Sequence, residues 1–248
     1  MGRFGVERDL AVASALLASL FVSPAGAQPS PPTGLYVRAD VGAAFEQNVT
    51  FKDTNPSAAN CDLCGDMFPS STGRSVFLGG GAGYWLGRMF RADLTLDYLT
   101  LVKISGMTTA AAPSTASADF DSLIGLANGY FEFAGAFPDD FGQLQPFLSV
   151  GIGIARDHLD TTRGVSPLIG PFTIESHSRM NVAWALGAGA GFVLSPETTI
   201  ELEYRYLNTG GLRTGATLTA GGTPFQLTPL KSGDLSVHAV MLGVRYRL

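Results

Sequence analysis

Three glycines at alternate positions, Gly187, Gly189 and Gly191, sit in an uncharged run from Val182 to Leu194, and this run limits the chain's choice of fold more than any other. In a helix each glycine would cost about 1 kcal/mol relative to alanine. The 13 residues would then rise roughly 20 Å at ~1.5 Å each, short of a ~30 Å hydrocarbon layer. As a strand tilted by ~40° the same run rises about 33 Å, and the glycine row becomes one face of it.

Other segments alternate in the same way. Leu35, Val37, Ala39, Val41, Ala43 and Phe45 share one side of a stretch whose other side holds Tyr36, Arg38, Asp40 and Glu46. Ala92, Leu94, Leu96 and Tyr98 oppose Arg91, Asp93, Thr95 and Asp97; Ile200, Leu202, Tyr204 and Tyr206 oppose Glu201, Glu203 and Arg205. The pattern predicts eight strands near 34–48, 74–86, 90–100, 120–133, 145–156, 179–194, 198–207 and 235–248. Long connections (49–73, 101–119, 157–178, 208–234) alternate with shorter ones (87–89, 134–144, 195–197). The long ones, rich in Ser, Thr, Gly, Pro and Asp, read as mobile surface loops. The expected architecture is an all-β membrane protein, an eight-stranded antiparallel up-and-down transmembrane β-barrel over 34–248, its short turns facing the periplasm and its long loops the exterior.

Composition agrees: 31 glycines and only 15% charged residues, where globular chains carry about a quarter. Arg3 and Arg8, the apolar run Leu10 to Val22 and the triplet Ala25-Gly26-Ala27 form a secretory signal over 1–27, too short to anchor the chain. A short lead, 28–33, precedes the barrel. The net charge of -5 argues against a nucleic-acid partner. In an oxidising compartment Cys61 and Cys64 are expected to form a loop disulfide. Asp62 and Asp66 beside them disfavour a reactive thiolate, and no further ligands suggest zinc.

The last residues place Val240, Leu242, Val244, Tyr246 and Leu248 on one face, with Arg245 and Arg247 on the other. This resembles the C-terminal strand of outer-membrane barrels, which serves as an assembly signal and usually ends in Phe where this chain has Leu248. Together with the runs Leu78-Gly79-Gly80-Gly81-Ala82-Gly83-Tyr84, Phe90-Arg91-Ala92-Asp93-Leu94 and Pro146 to Gly153, the chain resembles the opacity-type, outer-membrane protein A-like surface-antigen barrels. The resemblance covers the mature chain. It implies a small closed barrel in the outer membrane of a Gram-negative bacterium, reached through the periplasm, in contact with outer-membrane lipid and with the barrel assembly machinery during insertion, and with an unidentified surface ligand or host partner.

With the apolar faces toward lipid, the lumen receives Arg38, Asp40, Arg91, Asp93, Asp97, Glu132, Glu201, Glu203, Arg205, Arg245 and Arg247. Inward glycines on the second, fifth and sixth strands make room for them. An eight-stranded lumen is just wide enough for side chains to fill, so charge pairs are expected to plug it, Arg91 toward Glu201 and Asp97 toward Arg205 across the barrel. Tyr36, Trp85, Phe90, Phe133, Phe147, Tyr204, Tyr206 and Tyr246 fall near strand ends and read as interfacial girdles. His177 and Ser178 are neighbours on a strand and point to opposite faces; Ser236 and His238 share the lipid face near the outer interface. No catalytic, cofactor or metal site is therefore expected. The function read from this is structural or surface recognition through the long loops, with a narrow solute channel as the alternative and a lipid-modifying enzyme third.

Overall fold

The structure is a computed structural model and describes residues 34–46, 50–53, 66–72, 74–108, 113–137 and 141–248. The signal 1–27, the lead 28–33 and the Cys61–Cys64 pair lie outside the described residues. In chain order the elements are β1 (Gly34–Glu46), β2 (Phe51–Lys52), β3 (Met67–Thr72), β4 (Arg74–Trp85), β5 (Phe90–Thr108), β6 (Thr115–Glu132), the helical turn α1 (Phe133–Ala136), β7 (Leu144–Leu159), β8 (Thr162–Ser166), β9 (Gly170–Ile174), β10 (His177–Val193), β11 (Thr198–Arg213), β12 (Thr217–Ala220), β13 (Thr223–Gln226) and β14 (Lys231–Arg247). Among the described residues no helix is long and apolar enough to cross a membrane.

Eight of these strands close into an antiparallel barrel in the order β1-β4-β5-β6-β7-β10-β11-β14, and β14 returns to β1 through Val37↔Tyr246 and Val41↔Leu242. Closure leaves the barrel no open edge, which is what a backbone crossing lipid requires. Outward side chains are exposed and apolar: Leu148, Val150, Ile152 and Ile154 on β7, with Arg156 and His158 above them; Leu94, Leu96 and Tyr98 on β5. That outward apolar run marks the membrane-spanning part.

At one end the turns are tight. Leu86 N donates to Phe90 O (2.9 Å) around Gly87, whose φ of +147° suits glycine, and Leu194 N donates to Thr198 O (2.9 Å). The start of β1 and the residue after β14 meet here, Leu248 N donating to Leu35 O at 3.0 Å.

The other end departs from expectation. The segments read as mobile loops carry a second tier of strands. β5 runs to Thr108 and β6 starts at Thr115, so only a short link remains of 101–119, while β7, β10, β11 and β14 also extend beyond their expected outer limits. On this rim β2 pairs with β14 (Phe51↔Ser232) and with β3 (Phe51↔Met67), and β3 pairs with β5; β8 pairs with β6 (Thr115↔Val165), β9 with β8, and β12 with β9 and β13. The physical reason is an inversion of the apolar face. Within lipid a strand points apolar residues outward; above it β6 turns Ala116, Ala118 and Phe120 inward and Ser117, Asp119 and Asp121 outward. On β5 the inversion coincides with a register shift between Leu99 and Val102, so that Leu99 and then Ile104 face inward.

Candidate functional site: a charged plug below an apolar vestibule

The lower lumen is built from the inward positions of β1, β5, β6, β11 and β14. Arg38 Nε and Nη2 donate to the two carboxylate oxygens of Asp40 (2.9 and 2.7 Å), and Nη1 donates to Asp93 (3.3 Å) and to the Tyr130 hydroxyl. Arg91 Nε donates to Glu132 (2.6 Å) and Nη2 to Glu201 (3.0 Å), while Arg245 Nη1 lies 3.0 Å from Glu201. Arg205 donates to Glu203 through Nη2 (3.0 Å) and to Asp97 through Nη1 (3.4 Å). β5 and β11 stand opposite one another in the ring, so Arg91–Glu201 and Arg205–Asp97 both bridge the lumen. Ten of the eleven expected lumen charges are buried here; Arg247 is half-buried at the rim, beyond the ion pairs.

Neutral donors complete the cluster, and sequence reading missed them. Asn128 Nδ2 donates to Asp93 (2.8 Å), Ser149 Oγ to Glu203 (2.8 Å), Thr95 Oγ1 to Asp97 (3.1 Å) and Tyr36 Oη to Asp93 (3.0 Å). Buried charges persist only when paired and hydrogen-bonded, and these side chains supply the remaining bonds. Tyr36, Trp85 and Phe147, read above as girdle residues, are instead inside: the Arg91 guanidinium carbon lies 5.6, 5.9 and 5.1 Å from their ring centres and 3.7 Å from that of Tyr130. Parity held the missed signal, since Trp85 shares its face with Gly81 and Gly83, and Phe147 with Gly151 and Gly153.

The glycine rows make the cluster possible. A Cβ on Gly79 would strike the Asp97 carboxylate, one on Gly187 would strike Ser149 Oγ and Glu203 Oε1, and one on Gly243 the Asp40 carboxylate. Side-chain volume was removed from β4, β10 and β14 where long charged groups from neighbouring strands lie.

Two residues further up each strand the interior changes. Leu99 follows Asp97, Leu207 follows Arg205, and Phe77, Ile124, Phe120, Val237 and Leu235 fill the barrel, all at most 2% exposed. A buried carboxyl interrupts this core: Asp157, above the outward apolar run of β7, accepts from Ser122 Oγ (2.6 Å) and Asn181 Nδ2 (2.7 Å). Burial pushes its carboxyl up to about 6 against the two hydrogen bonds. Above this level the tier encloses a cavity of about 530 Å³.

The histidine and serine side chains pair across strands. His158 Nδ1 is 2.8 Å from Ser178 Oγ, His238 Nδ1 2.6 Å from Tyr204 Oη, and Ser236 Oγ 2.8 Å from Tyr206 Oη. These groups face outward just above the outward apolar runs, the interfacial level where polar-tipped aromatic side chains settle in membrane proteins. The outward row Val240, Leu242, Val244, Tyr246 and Leu248 lies on the face of β14 that carries His238, with Val240 and Leu242 exposed.

A family model described as an outer membrane protein beta-barrel domain matches residues 13–247. An uncharacterized protein of Brucella suis biovar 1 is 27% identical over 268 residues, covering 95% of this chain and 93% of that protein. A protein named as a putative adhesin in Rickettsia rickettsii is 26% identical over 212 residues, covering 80% of this chain and 85% of that one. Among solved structures, the outer membrane protein OprG from Pseudomonas aeruginosa aligns with a TM-score of 0.50 at 12% identity, covering 90% of this chain and all of that one, a likeness of fold.

Proposed function

Because the chain belongs to the outer membrane protein beta-barrel domain family, and so sits in the outer membrane of a Gram-negative bacterium, we propose that it is a closed barrel whose upper tier is a surface-recognition platform. The observation that carries this is the tier itself: chain beyond the lipid is organised into paired strands. That order gives binding side chains a rigid mounting. The tier also bears apolar side chains on its outer face, Met107, Val165 and Leu168 at 52, 56 and 57% exposure, outside any lipid belt. Met107 and Val165 flank Thr115 in one row across β5, β6 and β8. The name of the Rickettsia relative points the same way. Ion pairs filling the lower lumen support a closed barrel over a narrow channel, and the alternating row on β14 supports a further role as the signal read by the assembly machinery.

Cells expressing the protein should label from outside at a cysteine placed at Thr115 and not at Pro196, in a background lacking Cys61 and Cys64. They should also adhere to epithelial monolayers, and serine at Met107, Val165 and Leu168 together should abolish the adherence while the heat-modifiable barrel persists. Labelling at Pro196, or adherence unchanged by the triple substitution, would overturn the proposal.

A further inference from the structure

The vestibule between the tier strands is a cavity of about 530 Å³, within the range of small-molecule sites. Its described walls include Phe51 from β2, Ile104 from β5, Leu159 from β7, Phe172 and Ile174 from β9 and Leu218 from β12, so five strands converge on it, together with Leu227 and Leu230. Three hydroxyls in the wall are engaged by backbone groups. Thr214 Oγ1 accepts from Leu230 N (2.9 Å) and donates to Gly215 O (3.2 Å); Thr108 Oγ1 accepts from Ser114 N (2.9 Å); Ser166 Oγ accepts from Leu168 N (3.3 Å). Among the described lining residues the sole charge is Asp53.

These facts select an occupant. Water needs two to four polar partners, which the apolar side chains that make up most of this wall do not offer. An anion would meet the Asp53 carboxylate, the one charged side chain among the described lining residues. Below, the packed core and the ion pairs leave no continuation, so the cavity ends blind. We propose that the vestibule is a binding site for an uncharged apolar small molecule, with Phe51 and Phe172 favouring an aromatic one. The site is independent of the recognition reading, because Met107, Val165 and Leu168 face outward and the vestibule residues inward.

The test uses the full mature barrel in phosphatidylcholine nanodiscs, with empty discs as reference, and two isosteric probes, 2-naphthol and 2-naphthoate. Equilibrium dialysis should show saturable binding of one 2-naphthol per barrel and weaker binding of 2-naphthoate. Phenylalanine at Ala118, or independently at Ala116, fills the space and should weaken 2-naphthol by about tenfold or more while heat modifiability is retained. Asp53→Asn should narrow the preference for 2-naphthol over 2-naphthoate by strengthening 2-naphthoate. Binding no greater than in empty discs, equal binding of the two probes, or 2-naphthol binding that survives both filling substitutions in folded barrels would overturn the assignment.

Discussion

The lower and upper halves of the interior lie on the same eight strands and face the same way, yet one is held by charge and the other by apolar packing. Below, guanidiniums from β1, β5, β11 and β14 meet carboxylates inside the lumen; above, Phe77, Leu99, Phe120, Ile124 and Leu207 close on one another. The difference follows the strand's surroundings. In lipid the outward positions must be apolar, so the alternation leaves polar residues for the interior, and these must satisfy one another because little water fits among them. Above the lipid the outward positions turn polar and the inward ones form a core like that of any water-soluble β protein. The ion pairs contribute little net stability after desolvation but make each partner indispensable to the other; the apolar core stabilises in proportion to what is buried.

The sharpest way to break the comparison is to remove Arg91, which binds Glu132 and Glu201 together. Arg91→Ala leaves two buried carboxylates short of a partner and should lower the stability of the refolded barrel by about 3 to 5 kcal/mol, read from its urea midpoint. Adding Glu201→Gln in that background should recover part of the loss, since six buried carboxylates then face three guanidiniums and it removes one of the excess, although Arg245 still lies 3.0 Å from Glu201. A barrel that tolerates Arg91→Ala with less than about 1 kcal/mol would have a wet lumen, and the closed-barrel proposal would give way to a channel.

A smaller effect is expected in the upper half. Leu207→Ala removes a fully buried side chain from the apolar core and should cost about 2 to 4 kcal/mol. Combined with Arg91→Ala it should be additive within about 0.5 kcal/mol, because the two residues lie in different layers with no shared partner. Strong coupling would mean that the halves are one unit. The single change that gains from added Glu201→Gln should be Arg91→Ala and not Leu207→Ala.

The same inversion explains what the sequence revealed and what it hid. Strand number, closure and the inward charges were legible because in β1, β5 and β11 polar and apolar residues keep strict alternation through the lipid layer. The tier was hidden because reading for a continuous outward apolar face stops where Tyr98 gives way to Lys103 and Ser105, and Leu123 to Asp121 and Asp119. The bulge after Leu99 hid it further by changing which parity faces inward. The vestibule was out of reach of periodicity altogether, since Phe51, Phe172 and Leu218 come from short strands whose pairing depends on neighbours far away in sequence.

Asp157 gives the smallest effect and the finest test of where the apolar half begins. Its carboxyl, buried above the lipid belt, is pushed up to about 6 from an ordinary 3.8. The folded barrel therefore takes up this proton at higher pH than the unfolded chain does. This group's contribution is full below about pH 4, is lost as pH rises through about 6, and is flat above that. Asn at this position can still accept from Ser122 or Asn181 and carries no charge to desolvate. Asp157→Asn should therefore be more stable than the unmodified protein at pH 7, by at most about 3 kcal/mol, and the difference between the two should shrink steadily from pH 6 to pH 4. Taking the difference cancels the titration of the lumen carboxylates, which both proteins share. A difference that does not change with pH would mean that Asp157 is solvated, and that water reaches past the vestibule floor into the region assigned here to packed apolar side chains.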